Sequence, residues 1–179
     1  MYCGCNEIAQ GSQARIARAL VSLMERKAFS SVSVSELCRE AGVSRPTFYS
    51  LFGSMEDVLR FILQSNYSYA PEADHAQECG LESFCLGYSG YIEAHREFLS
   101  LLVRNGLFHI LYGSIEESLT GCACFLADAE PSFRRYAAHF TAGGLAGFIQ
   151  NYTQGEPCSV EELSRILARL LSGCHFSAP

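Results

Sequence analysis

Apolar positions recur at intervals of three and four along nearly the whole chain. Nowhere does a long stretch alternate with period two, so the pattern predicts helices and no strands. A first helix is expected over Gln13 to Lys27, with Ile16, Leu20, Leu23 and Met24 on one face, Ala17 and Ala19 filling in, and Ser12 as its N-cap. Phe29 follows at a turn and closes a small core. Val34, Leu37, Cys38 and Ala41 mark a short second helix. Gly42 ends it, because glycine takes left-handed backbone without a Cβ penalty. Val43 plugs the space before a third helix. There Ser44 is the N-cap, Pro46 sits in the first turn where a missing N–H is harmless, and Phe48, Leu51 and Phe52 form the buried face. The opposite face presents Arg45, Thr47, Tyr49 and Ser50, all able to hydrogen-bond to a DNA backbone or base edge. Two short helices joined in this way read as a helix-turn-helix whose second helix fits a major groove.

Farther along, Ser54-Met55-Glu56-Asp57 opens a helix that runs through Val58, Leu59, Ile62 and Leu63 to about Tyr69, where Pro71 interrupts it. Residues 70–80 are polar and read as a linker. Leu81 to about Arg104 is helical, either continuous or broken near Glu97; Leu107 to about Ala127 is the next helix. Pro131 fits a first helical turn, and Ser132 to about Tyr152 follows it. After a loop over 154–157, Ser159 and Glu162 form a capping box for a last helix carrying Leu163, Ile166, Leu167, Leu170 and Leu171 and ending near Gly173. The expected fold is all-α with about nine helices. Residues 10–53 would form a helix-turn-helix head, residues 54–179 a larger helical domain, and the helix over 54–69 would join them.

Composition narrows the class. Hydrophobic residues make up 49% of the chain and charged residues 18%, which excludes a disordered chain and supplies a sizeable core. No run of about 18 apolar residues suggests a membrane span, and Met1 to Glu7 has neither a basic nor an apolar signal region. The expected location is the cytoplasm. The net charge of −6 is unevenly spread: residues 1–61 hold seven basic and six acidic residues, residues 62–179 six and thirteen. Only the N-terminal third approaches phosphates without strong repulsion. Nine cysteines make an odd count, and most are expected to stay reduced; Cys38 and Cys85 fit as small core residues. The pairs Cys3/Cys5 and Cys122/Cys124 leave a soft-metal or redox role open, but a two-residue step on a helix turns side chains about 200° apart, which prevents joint chelation by Cys122 and Cys124 unless the helix ends there. No nucleophile–base motif, phosphate-cradling glycine loop or zinc-hydrolase motif is present, so no catalytic residue, cofactor or metal is expected.

The run Val34-x-x-Leu37-x-x-x-Ala41-Gly42-Val43-Ser44-x-x-x-Phe48-Tyr49-x-x-Phe52, with a helix before and an acid-opened helix after it, resembles the TetR family of transcriptional regulators over residues 13–63. Tyr136, Phe140, Gly143, Gly144, Gly147, Phe148 and Ile149, the Ser159/Glu162/Leu163 run, Lys27-Ala28-Phe29 and Arg45 to Tyr49 resemble a subgroup some of whose members lie beside dihydroxyacetone-kinase genes. The resemblance implies a homodimer that binds a palindromic double-stranded DNA operator and releases it, most simply as a repressor, when a small-molecule effector of unknown identity enters the larger domain.

It also implies roles for particular residues. On the DNA side, Arg45, Pro46, Thr47 and Tyr49 face the groove, Tyr49 in the position of a phosphate-contacting tyrosine. Ser44 and Ser50 flank them, and Ser33 and Ser35 open the second helix where a phosphate can be held. Arg45 could reach a guanine edge and the Pro46 ring a thymine methyl. For the dimer, Gly143, Gly144 and Gly147 on one helix suggest either close helix approach at an interface or a helix break; the interface set is Phe140, Gly143, Gly144, Gly147, Phe148, Leu163, Ile166 and Leu170. For the effector, Tyr88, Tyr91, His95, Phe98, Phe108, Tyr112 and His139 either line a pocket or are ordinary core, with His109 a further ring-bearing position. The chain departs from the family at Ser50 and Leu51, where many members carry a basic residue or His, and at Met55, where many carry Lys. Those departures leave room for a second reading, a dimeric adaptor with a weakened DNA head that acts through a protein partner.

Overall fold

A computed structural model describes residues 7–66, 80–122 and 125–173. Among these residues the chain forms nine α-helices and one 3-10 turn: α1 (Glu7–Arg26), the turn Phe29–Ser31, α2 (Val34–Ala41), α3 (Arg45–Leu51), α4 (Met55–Asn66), α5 (Leu81–Ala94), α6 (Arg96–Arg104), α7 (Phe108–Gly121), α8 (Pro131–Gln154) and α9 (Val160–Leu171). The all-α expectation holds. Cys3, Cys5, Cys124, Tyr69 and Pro71 lie outside the described residues, as does nearly all of the expected linker.

Several boundaries move. α1 begins at Glu7, so Ser12 lies in the second turn. Its hydroxyl donates to the carbonyl of Ile8 (2.9 Å) instead of capping the helix. The break between α5 and α6 falls at His95, two residues before the expected point. α7 stops at Gly121, several residues early.

α1, α2 and α3 pack around Ile16, Leu20, Leu37, Phe48 and Phe52, all fully buried. α4 packs against both α1 and α7, and so belongs to the head and the body together. Polar contacts follow that seam: His109 lies 3.6 Å from Glu56, and Gln64 donates to Glu117. α8 packs on α6 and α7, and α9 on α5. No described helix is long and apolar enough to cross a membrane.

Candidate nucleic-acid interface

The head is built by local chemistry. The Ser33 hydroxyl accepts from the Glu36 N–H (3.2 Å) and so caps α2. Gly42 takes φ +63°, a conformation that strains a residue with a Cβ, and it ends α2 through N–H contacts to Cys38 and Arg39 carbonyls. Ser44 then caps α3 by accepting from the Thr47 N–H (3.1 Å). Phe48 is driven fully inside, 6.1 Å from Phe52, and Phe52 meets Phe61 edge-on at 5.6 Å. Burial pushes the Cys38 thiol up from its ordinary pKa, as expected of a core cysteine.

With Phe48 inward, Arg45, Pro46, Tyr49 and Ser50 stand outward. Tyr49 is 52% exposed, its ring resting edge-on against Phe48 at 5.3 Å, which fixes where its hydroxyl points. The proposed DNA residues are not equivalent. The Ser44 hydroxyl lies 2.7 Å from that of Thr47, which is half-buried, and the Ser50 hydroxyl donates to the Thr47 carbonyl. These three are engaged within the helix, whereas Arg45, Pro46 and Tyr49 project freely beside it. Ser33 and Ser35 are exposed at the start of α2, on the neighbouring element.

Some of the charges of the head and of α4 are turned on each other. Arg26 pairs with Glu40 at 2.6 Å, Lys27 pairs with Glu36, and Arg60 pairs with Glu56 and Asp57. The Lys27 ammonium holds the Glu36 carboxyl below its usual range. Among the described residues, Arg15, Arg18, Arg39 and Arg45 have no carboxylate partner. Leu51 is buried and Met55 is half-buried against the core. A basic group at Leu51 could reach a phosphate only by giving up its packing, whereas a long side chain at the half-buried Met55 position could still extend to solvent.

A second surface is apolar. α8 runs unbroken through Gly143, Gly144 and Gly147, which removes the helix-break alternative. One face, with Ala138, Ala142, Leu145, Ala146 and Ile149, is buried in the subunit. The opposite face shows Phe133, Tyr136 and Phe140 at 60%, 69% and 83% exposure, and continues into Gly144 and Gly147. Apart from the helix's own adjacent backbone and chain neighbours, no atom of the subunit lies within 4 Å of where a Cβ would stand at any of the three glycines. On α9, Ile166 and Leu170 are exposed while Leu163 and Leu167 are buried. Leu163 is therefore a core residue of the subunit, and Phe148 is half-buried. Phe133 and Tyr136, absent from the expected interface set, continue the same stripe at three- and four-residue steps and could have been read from the sequence.

Inside the body, Leu63, Tyr88, Tyr91, Leu111, Ser114, Ile115, Ser118 and Ile149 surround a small cavity of about 10 Å³, room for one water. Its lining is uncharged, and burial raises the Tyr91 phenol to about 12. Of the expected pocket residues only Tyr88 and Tyr91 line it. His95 packs behind Tyr91 with ring centroids 4.8 Å apart. Tyr112 and His139 form a hydrogen-bonded pair (2.8 Å) between α7 and α8, with His139 exposed. Phe98 is half-buried on α6, and Phe108 is exposed at the start of α7. The ring pattern could not separate these, because ring residues on one helix face look alike whether they meet a cavity or a neighbour.

Residues 16–61, the head and most of α4, match the sequence profile of the bacterial regulatory proteins of the tetR family. Two curated relatives align with part of the chain. The HTH-type transcriptional regulator EthR of Mycolicibacterium smegmatis is 47% identical over 47 residues, 26% of this chain and 22% of that protein. The HTH-type dhaKLM operon transcriptional activator DhaS of Lactococcus lactis subsp. lactis is 33% identical over 57 residues, 32% of this chain and 30% of that protein. Over residues 16–61 the chain is similar to the TetR family of regulators. The alignments with these relatives span less than a third of their length. Beyond the head the likeness to solved structures is one of fold. Lin0861 from Listeria innocua superposes with a TM-score of 0.81 at 15% identity, covering 96% of this chain and 95% of the other. The dihydroxyacetone kinase operon activator DhaS superposes with a TM-score of 0.58 at 20% identity, covering 90% and 94%. The shared fold thus extends over nearly the whole chain.

Proposed function

We propose that this chain is a TetR-family, DNA-binding transcriptional regulator that acts as a homodimer and answers a small-molecule effector. The observation that carries the reading is the ridge of Arg45, Pro46 and Tyr49 standing outward above a buried Phe48. Arg45 offers the bidentate donors that suit a guanine edge, Pro46 an apolar surface for a thymine methyl, and Tyr49 a hydroxyl for a phosphate. Exposed Ser33 and Ser35 at the start of α2 add hydroxyl and backbone donors beside it.

The dimer reading is supported by the α8 stripe. Three exposed aromatic side chains in a row followed by glycines with open space above them suit a helix from a second copy lying close. Burying such a stripe on both partners at roughly 25 cal/mol per Å² of apolar surface offers a strong driving force, of which association entropy cancels a part. A two-fold dimer would present two α3 helices to successive major grooves and so favour a palindromic site. The cavity at Tyr88 and Tyr91 has room for no more than a water, so the effector part of this reading rests on the family likeness. We read the protein as a repressor, since a dimer covering promoter DNA excludes polymerase. The relative DhaS is named an activator, so the sign is tested directly by a promoter reporter.

The adaptor reading keeps one supporting observation, the internal pairing of some of the head's charges. Nuclease footprinting on the DNA upstream of the protein's own gene decides between the two. A protected two-fold site of about two helical turns supports the regulator. A dimer that protects no DNA at low salt supports the adaptor.

A further inference from the structure

We propose that Asn105 is a positioning residue for DNA binding, the polar pin that fixes the orientation of the head on the body. It rests on the regulator reading given above. Asn105 ends α6, and its side-chain amide is held from both sides. Its Oδ1 accepts from the Phe29 N–H at 2.7 Å, and its Nδ2 donates to the Leu101 carbonyl at 2.8 Å. Because one partner is a donor and the other an acceptor, only one orientation of the amide satisfies both. Backbone bonds brace the same turn: Gly106, at φ +69°, donates to Val103, and Leu107 donates to Leu102. Asn105 therefore sits on a rigid helix end and reaches out of it to a single backbone group.

That group belongs to the turn leading into the helix-turn-helix. Phe29 packs against the head core, and the turn is held from the other side by the Lys27 ammonium, which donates to the Ser31 carbonyl (3.0 Å) and to the Glu36 carboxylate on α2. The path from body to reading head is short: the end of α6, the amide of Asn105, the turn Phe29–Ser31, Lys27, and α2. Among the described residues, the bond to Phe29 is the hydrogen bond that crosses from residues 10–53 to the body. The other polar contacts between the two run through α4, which is also the covalent connection. A body and a head joined along one helix can still twist about that helix. A second attachment off its axis removes that freedom, and Asn105 supplies it next to the apolar packing of α1 on α6. A dimer that must set two heads into successive grooves depends on that angle, whereas one head on one half-site does not.

The test compares the full-length wild type with Asn105→Leu, close in size and without either hydrogen bond, and with Asn105→Asp, which keeps an acceptor for Phe29. Each is titrated against a duplex holding the footprinted two-fold site and a duplex holding one half of it. Asn105→Leu is expected to bind the two-fold site about tenfold more weakly and the half-site within about twofold of wild type, with Asn105→Asp in between. Hydrogen exchange read on peptides spanning residues 27–33 should accelerate about tenfold in Asn105→Leu, with peptides over Phe48 unchanged. Equal weakening on both duplexes would mean a damaged head and would overturn the proposal, as would unchanged binding to both. Should the wild type bind neither duplex, the regulator reading fails and exchange alone decides: unaltered protection over residues 27–33 overturns the pin, and selective loss there upholds it.

Discussion

The head closes its apolar surface on itself, whereas the body leaves one face of α8 and part of α9 uncovered. In residues 16–61 the one exposed large apolar side chain is Tyr49, on the proposed reading face. In the body Phe133, Tyr136, Phe140, Ile166 and Leu170 all face outward. The contrast separates two ways of making a functional surface. The head projects a few hydrogen-bonding groups from a finished core. The body leaves an apolar face uncovered, the face on which the proposed dimer rests.

The largest expected effect breaks the head alone. Phe48→Ala removes a fully buried ring between α1 and α3 and should destabilise the head by about 3–5 kcal/mol. Circular dichroism melts should show an early partial transition while the later one, from the body, is retained; a single unshifted transition would mean that Phe48 is not the keystone of the head. The next effect breaks the body's surface alone. Phe140→Glu places a charge in the centre of the α8 stripe and should weaken dimerisation by at least about 100-fold, on the order of 3 kcal/mol, with helix content kept. Sedimentation velocity across a concentration series reads this, and an unchanged dimer would move the interface away from α8.

A smaller effect sharpens the comparison at pH. The carboxyl of Glu36 is held below its usual range by Lys27. A lowered folded-state pKa stabilises the head above the ordinary carboxylate range, and that contribution is lost as the pH falls through the lowered value. Acid melts of the wild type should therefore show the head weakening as the pH falls. Glu36→Gln should already lack the contribution at neutral pH and flatten that dependence; identical acid profiles would remove any role for the pair.

How much of this was legible in the sequence follows the same division. Ser33, Gly42, Ser44 and Pro46 act through neighbours one to four residues away, so the caps and the turn could be read from the chain. Tyr49 and Arg45 followed from the position of Phe48 by helical geometry alone. Leu51 and Met55 could not be judged as DNA positions, because their burial depends on what α4 and α1 bring against them. The pocket set shrank to Tyr88 and Tyr91 for the same reason, since a ring on α7 meets either a cavity or α8 according to packing between distant segments. Asn105 and Phe29 stand 76 residues apart and carry no shared signal in the sequence. Phe133 and Tyr136 were legible as an extension of the Phe140 stripe.

The central claim is that the outward ridge on α3 reads DNA. Fluorescence anisotropy against DNA from the protein's own promoter, over a salt series, tests it with wild type and Arg45→Ala side by side. Binding should weaken with salt, on a log–log slope no steeper than about −7 for a dimer whose unpaired head arginines each neutralise one phosphate. Arg45→Ala should cost about 1–3 kcal/mol while leaving the dimer intact. An intact wild-type dimer that stays unbound at low salt, or an Arg45→Ala dimer that binds as tightly as wild type, would contradict it.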